Sequence, residues 1–230
     1  MLVYGKNVAR EFLKNPQNVK KVILQENFDD KEINSVLENN IFKVEILRKH
    51  EMDHLVDGLH QGIMLDIKDY QYKDLDELFD KNLVVILDHI EDPHNFGAII
   101  RTCEAAGVSG IIIPKDRQVG VTPTVVKTSA GAIYNMKISQ VINLNSTISK
   151  LKDHGFWVVG TALEDSTDYR DIDYTGKIAL VIGNEGKGIS RLVRESCDFV
   201  AKIPMYGTTN SLNASVASGI MIYEVVRNRK

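Results

Sequence analysis

Cysteine is nearly absent: the 230 residues hold two, Cys103 and Cys197. Neither has a CxxC neighbour or metal-ligand spacing, which excludes a disulfide scaffold and a zinc ribbon and leaves two reduced thiols and no expected metal. Long apolar runs are missing too. None approaches the ~18–20 residues of a membrane span, so no membrane contact is expected. Met1–Lys6 lacks a basic head followed by an apolar stretch, so no signal peptide is expected and the reading places the protein in the cytoplasm. No low-complexity tract and no fixed-period repeat occurs. The glycine-rich stretches contain no GxGxxG and no GK[ST] ending, which argues against an NAD-linked oxidoreductase and a P-loop NTPase. There is no GxSxG elbow. His89 and His94 have no third ligand at useful spacing. Asp165, Asp168, Asp171 and Asp173 lack the glycine and glutamate of a calcium loop.

What is present is globular. A chain this long predicts one or two domains. Hydrophobic residues are 43% and charged residues 26%, ordinary values that exclude disorder, collagen and coiled coil as the whole answer. The net charge of −3 argues against a uniformly basic nucleic-acid binder. That total is an average. Residues 1–80 hold 11 Lys+Arg against 16 Asp+Glu, and residues 81–230 hold 17 against 15. Within the acidic half, Lys6, Arg10, Lys14, Lys20 and Lys21 face only Glu11 over the first 21 residues.

The pattern changes once along the chain. Residues 1–68 read as a small α/β domain, with helices over 7–14 and 31–38 and strands over 19–24, 42–47 and 63–67. The acidic stretch 69–80 reads as a linker. From residue 81 a second domain begins. Its strands, at 83–87, 110–113, 156–159, 178–182 and 199–203, are continuous apolar runs, as expected of strands covered on both faces. Helical segments at 96–106, 122–132, 146–154 and 189–195 lie between them, which predicts a parallel α/β sheet. The last helix, about 213–228, puts Val216, Ile220 and Tyr223 on one stripe, with Met221 and Val225 beside it.

Three segments carry chemistry. In Leu87-Asp88-His89-Ile90-Glu91-Asp92-Pro93-His94-Asn95-Phe96-Gly97-Ala98-Ile99-Ile100-Arg101-Thr102, a buried strand meets Asp-Pro and Asn95 reads as the N-cap of the next helix. Arg101 is the one cation in an apolar helix, placed by spacing on roughly the side of Asn95. It is read with equal weight as a core ion pair with Asp92 or Glu104 or as a functional group. In Gly183-Asn184-Glu185-Gly186-Lys187-Gly188, three glycines at a strand end permit close approach of backbone to a ligand. In Ile203-Pro204-Met205 and Ser211-Leu212-Asn213-Ala214-Ser215, a strand ends and Ser211 or Asn213 caps the last helix.

In this order the segments resemble the three motifs of the SpoU (TrmH) family of RNA ribose 2′-O-methyltransferases in the SPOUT superfamily. The resemblance covers about 83–230. The front part, from Tyr4-Gly5-Lys6-Asn7-Val8 to His60-Gln61-Gly62-Ile63, is similar to that family's ribosomal-protein-like substrate-binding domain. The branch matched best methylates a guanosine ribose in 23S rRNA. The resemblance implies a trefoil knot in the second domain, S-adenosylmethionine as cofactor, and a homodimer acting on RNA. It assigns catalysis to Arg101 with Asn95, Glu185, Ser211 and Asn213. It assigns the cofactor to Thr161, Ala162, Gly183, Asn184, Gly188, Ile203, Met205, Ser211 and Leu212. Lys6, Arg10, Lys20 and Lys21 are expected to contact RNA phosphates. Two rival readings are a tRNA ribose methyltransferase of the same fold and an inactive RNA-binding assembly factor.

Overall fold

The computed structural model describes residues 1–163, 165–184 and 186–229. It divides into two compact units, Met1–Tyr70 and Gln71–Lys230.

The first unit is a four-stranded sheet with three short helices. Its elements are β1 (Leu2–Tyr4), α1 (Lys6–Leu13), β2 (Val19–Gln25), α2 (Lys31–Glu38), β3 (Val44–Leu47), α3 (Lys49–Asp53) and β4 (Ile63–Ile67). The strand order is β1-β4-β2-β3, with β4 antiparallel to both neighbours and β3 parallel to β2. Asp30 starts α2 by accepting the Ile33 N–H, as N-cap chemistry requires. Met52, Met64 and Ile23 form the core under the sheet.

The second unit carries β5 (Leu83–Asp88), α4 (Pro93–Ala105), β6 (Gly110–Pro114), α5 (Pro123–Thr128), β7 (Ile138–Val141), α6 (Leu144–Asp153) and β8 (Phe156–Thr161). It continues with β9 (Thr167–Asp168), β10 (Lys177–Gly183), α7 (Arg191–Glu195), β11 (Phe199–Lys202) and α8 (Ala214–Arg227). Seven strands form one sheet in the order β7-β6-β5-β10-β8-β11-β9. Every pairing is parallel, so the parallel α/β architecture expected of the apolar runs is present. Val84, Ile86 and Val181 pack with Leu144, Ile148 and Leu151 of α6 in one core. The chain leaves β5 toward β6 and β7 on one side, and β10 lies against β5 on the other. The sheet order therefore reverses between them, where open α/β sheets bind ligands at the strands' carboxyl ends.

Three expectations need correction, and the structure orients α8, whose apolar stripe the spacing left undirected. Residues 71–80 belong to the second unit: Leu78 is buried in its core with Leu75 and Phe79 beside it, apolar spacing that the acidic residues around them conceal. Asn95 is not the cap of α4. Asp92 is, accepting the His94 and Asn95 N–H groups, with Pro93 opening the helix, where its missing donor costs nothing. Arg101 is not on the side of Asn95, because six residues at 3.6 per turn leave the two about 120° apart; Asn95 is buried and Arg101 exposed. In α8 the stripe containing Val216 and Tyr223 faces outward, at 50% and 52% exposed, while Met221 and Val225 are buried with Ile222.

Candidate active site

The site is assembled at the ends of β5 and β10, whose register places Gly183 beside Asp88. Beyond Gly183 the chain folds back so tightly that Asn184 and Gly188 exchange backbone hydrogen bonds of 3.1 and 2.8 Å. The Asn184 side chain accepts the Gly186 N–H at 2.9 Å and closes the turn. This pinch requires glycine at 183. A Cβ there would lie 2.1 Å from the Gly188 carbonyl carbon, a backbone atom that cannot yield.

The loop is anchored on β5 at both ends. The Asn184 amide donates to the His89 carbonyl at 3.0 Å. The Ser190 N–H donates to Asp88 Oδ2 at 2.6 Å. Asp88 has a fully buried side chain, and its other oxygen faces His89 Nδ1 at 2.5 Å. His89 holds φ 64, a conformation non-glycine residues rarely adopt. Neither Asp88 nor the role of His89 was read from the sequence; the signal was the carboxylate that closes an otherwise apolar strand.

The first and third segments also meet. Asn213 caps α8 by accepting the Ser215 and Val216 N–H groups. Its amide donates to Asn95 Oδ1 at 2.9 Å, across 118 residues of sequence. Gly97 lets α4 lie close to α5, since a Cβ there would meet Thr128 Cβ at 2.6 Å.

Between the glycine loop, the end of β8 and the segment 201–214 opens a cavity of about 500 Å³, within the range of small-molecule sites. All nine residues expected to hold the cofactor line it: Thr161, Ala162, Gly183, Asn184, Gly188, Ile203, Met205, Ser211 and Leu212. Lys187, Arg194 and Lys202 add positive charge to its wall. Asn95, Arg101 and Asn213 are not part of that wall. Arg101 makes no ion pair among the described residues, so the pairings with Asp92 and Glu104 are not formed. Glu185 lies outside the described residues. Burial in apolar surroundings pushes both thiols up, that of Cys197 to about 12, so neither is a ready nucleophile near neutral pH.

The four cations expected to meet RNA are each held by a carboxylate of their own unit. Lys6 and Arg10 share Asp30 at 3.2 and 2.8 Å, and Arg10 also reaches Glu32 at 2.6 Å. Lys20 lies 3.7 Å from Asp69 and Lys21 2.5 Å from Glu45.

Residues 82–223 match the model of the SpoU rRNA Methylase family, and residues 2–73 match the model for RNA 2′-O ribose methyltransferase substrate binding. The chain belongs to the SpoU/TrmH family. A Staphylococcus haemolyticus protein named for the TrmH family of tRNA/rRNA methyltransferases is 44% identical over 100% of this chain and 96% of its own. The SpoU methyltransferase AviRb from Streptomyces viridochromogenes, solved with S-adenosylmethionine, covers 100% of this chain and 90% of its own, with TM-score 0.84 and 26% identity. A TrmH/SpoU tRNA-modifying enzyme from A. aeolicus covers 67% of this chain and 80% of its own, with TM-score 0.61 and 35% identity. This SpoU/TrmH protein is an RNA methyltransferase that uses S-adenosylmethionine. Its cavity suits that cofactor. The pinched loop brings backbone, not side chains, to the wall at Gly183 and Gly188, and backbone donors and acceptors can hold an adenosine without adding bulk. Among the described residues no helix is long and apolar enough to cross a membrane.

Proposed function

We propose that this SpoU/TrmH protein methylates the ribose 2′-hydroxyl of a guanosine in 23S rRNA. The observation that carries the reading is the convergence of three distant segments. The Asn213–Asn95 bond joins the third to the first, and the anchors at Asp88 and His89 join the second to the first. A second observation favours ribosomal over transfer RNA: the tRNA-modifying relative covers 67% of this chain, and the chain carries a substrate-binding match at 2–73 suited to a larger RNA.

S-adenosylmethionine supplies an electrophilic methyl on a sulfonium. The nine cavity residues would hold it while the groups around the ribose position its oxygen, and loss of the methyl would leave a neutral thioether. Fixing that geometry contributes on the order of 7–11 kcal/mol to lowering the barrier. Asn95, Ser211, Asn213 and, by its place in the motif, Glu185 orient the nucleotide. A guanidinium stays charged in proteins and is a poor base. Arg101 therefore clamps the neighbouring phosphate with its fork and stabilises the developing alkoxide. The proton passes to the phosphate or to water. Arg101 is exposed and has no ion pair to break first among the described residues, which suits this role. Arg101→Lys keeps the charge and loses the fork. It is expected to lower kcat roughly 100-fold with cofactor affinity unchanged; full turnover would remove the clamp.

The first unit, residues 1–70, chooses the RNA, and the second, from residue 71, forms the catalytic domain, with the knotted topology implied by the family. Lys20 and Lys21 exchange their carboxylates for phosphates, because exposed ion pairs are worth only ~0–1 kcal/mol. Lys6 and Arg10, which share Asp30, make further phosphate contacts. A second copy docks on the outward stripe of α8, where Val216 and Tyr223 are exposed, giving a homodimer. The test is mass-spectrometric mapping of ribose methylation on rRNA and tRNA from a deletion strain, with restoration by the purified protein. Restored methylation of a 23S guanosine is expected; restoration confined to tRNA would overturn the substrate.

A further inference from the structure

The first unit holds a second cavity, of about 450 Å³, that the cofactor and the reacting ribose do not use. It opens between α1, α3, the turn after β2 and the loop 58–62. That loop is shaped with unusual care. His60 is buried at 4% exposure. Its Nδ1 accepts the Gly62 N–H at 3.0 Å, so Nε2 carries the proton and donates to Asp53 Oδ1 at 2.9 Å. Gln61 is held at φ 54, and its Oε1 accepts the Lys6 backbone N–H at 2.9 Å. Backbone strain of this kind persists where the surroundings impose it, and it collects at ligand sites. The bond to Lys6 uses the oxygen of the Gln61 side chain and leaves its NH2 for a partner in the cavity.

The walls are chemically mixed. Phe28 is half-buried and rests on Gly62, where a Cβ would meet its ring at 2.9 Å. Lys49 at the start of α3 and the Gln61 NH2 offer donors. Asp29 and Asp53 offer acceptors. Lys6 and Lys49 balance the two carboxylates, so the wall has no net charge to draw a phosphate. The Lys6 ammonium lies 5.3 Å over the Phe28 ring, which leaves the other face of the ring for a ligand. An aromatic wall with donors and acceptors around it suits a flat heterocycle with a polar edge. RNA presents such groups where bases are unstacked, and proteins read them by stacking on aromatic rings and hydrogen bonding to base edges.

We propose that this cavity receives one unpaired, unstacked base of the RNA substrate, with Phe28 as its wall and Gln61 and Lys49 at its edge. The proposal rests on the RNA-binding reading above and adds where and how the first unit reads its target. The test uses the full chain, saturated with S-adenosylmethionine, and unmethylated rRNA from the deletion strain. After ultraviolet crosslinking and digestion, mass spectrometry is expected to find a nucleotide adduct on Phe28, on Lys49 or within 58–62. Gln61→Gly is expected to keep the fold, because glycine adopts φ 54 without strain. It should raise KM for rRNA about tenfold, the scale of losing a well-placed base contact, with kcat and cofactor affinity within about twofold. Lys49→Ala, on the exposed face of α3, gives a second variant with the same expected direction. Unchanged KM in both variants, with adducts only elsewhere in the first unit, would overturn the cavity and leave the methyltransferase reading intact. Wild-type protein inactive on rRNA would overturn the rRNA assignment instead. Filter binding of the same RNA by wild type and Gln61→Gly then decides the cavity on its own: equal affinities overturn it, and a weaker variant supports it.

Discussion

The glycine loop of the second unit and the basic residues of the first offer two opposite lessons in reading a site. The loop is fixed by necessity of the main chain. Gly183 has no room for a single added carbon, and the two ends of the loop are tied to one strand. The basic residues are fixed by charge alone, and charge is met by whatever acid lies nearest. Asp30, Glu45 and Asp69 meet it within the same unit. Steric requirements leave a motif that survives in the sequence, while electrostatic ones can be satisfied internally without leaving any visible trace.

Four further experiments can break or sharpen that contrast. Removing residues 1–70 should abolish methylation of long rRNA and leave S-adenosylmethionine binding by the remaining unit within about twofold. Calorimetry with the cofactor checks this, and lost binding would mean the units do not divide the work. Gly183→Ala should weaken cofactor affinity more than about 100-fold, because the added carbon forces the backbone apart at a cost of ~3 kcal/mol or more. Near-normal affinity would show that the pinch is dispensable. Asp88→Asn should lower cofactor affinity about tenfold and reduce Tm, since a charged acceptor for a backbone N–H is worth ~1.5–3 kcal/mol. An effect on Tm without one on affinity would make Asp88 a fold residue only. The smallest effects separate the cations. Arg10→Ala should lower Tm by a few degrees by loosening Asp30, whose side chain is only 8% exposed and keeps Lys6 alone. Lys20→Ala should leave Tm unchanged and raise KM for rRNA about twofold, as expected of an exposed pair worth under ~1 kcal/mol. The reverse ranking would mean that these pairs are not organised by burial.

The fold was legible where burial on both faces forced continuous apolar runs, as in Leu83–Leu87 and Ile178–Ile182. It was not legible at β7, where Ile138-Ser139-Gln140-Val141 is short and puts two polar residues between its two apolar ones, or at β9, which has two residues. The residues that line the first cavity could be named only through the family resemblance that the three ordered segments carry; Thr161 and Ala162 lie in none of those segments. The anchor formed by Asp88 and His89 was not legible, because its bonds span 95 and 102 residues and exist only once β5 and β10 are neighbours. The side of α4 that Arg101 occupies was not legible from apolar spacing alone, because six residues carry it about 120° round the helix from Asn95. The outward face of α8 was missed because apolar spacing marks a stripe without saying which stripe is covered.

The paired lysines and arginine of the first unit have a consequence for solution behaviour. Nucleic-acid binding draws much of its free energy from small cations released when protein charges neutralise phosphates, with a slope of roughly 0.7–0.9 per contact in log–log dependence on salt. A cation that must first abandon Asp30, Glu45 or Asp69 leaves behind a carboxylate that gathers a counterion of its own. The release is then largely cancelled. Association through Lys6, Arg10, Lys20 and Lys21 should respond to ionic strength more weakly than four free cations would, so recognition by the first unit rests on shape and base contacts more than on the ion atmosphere.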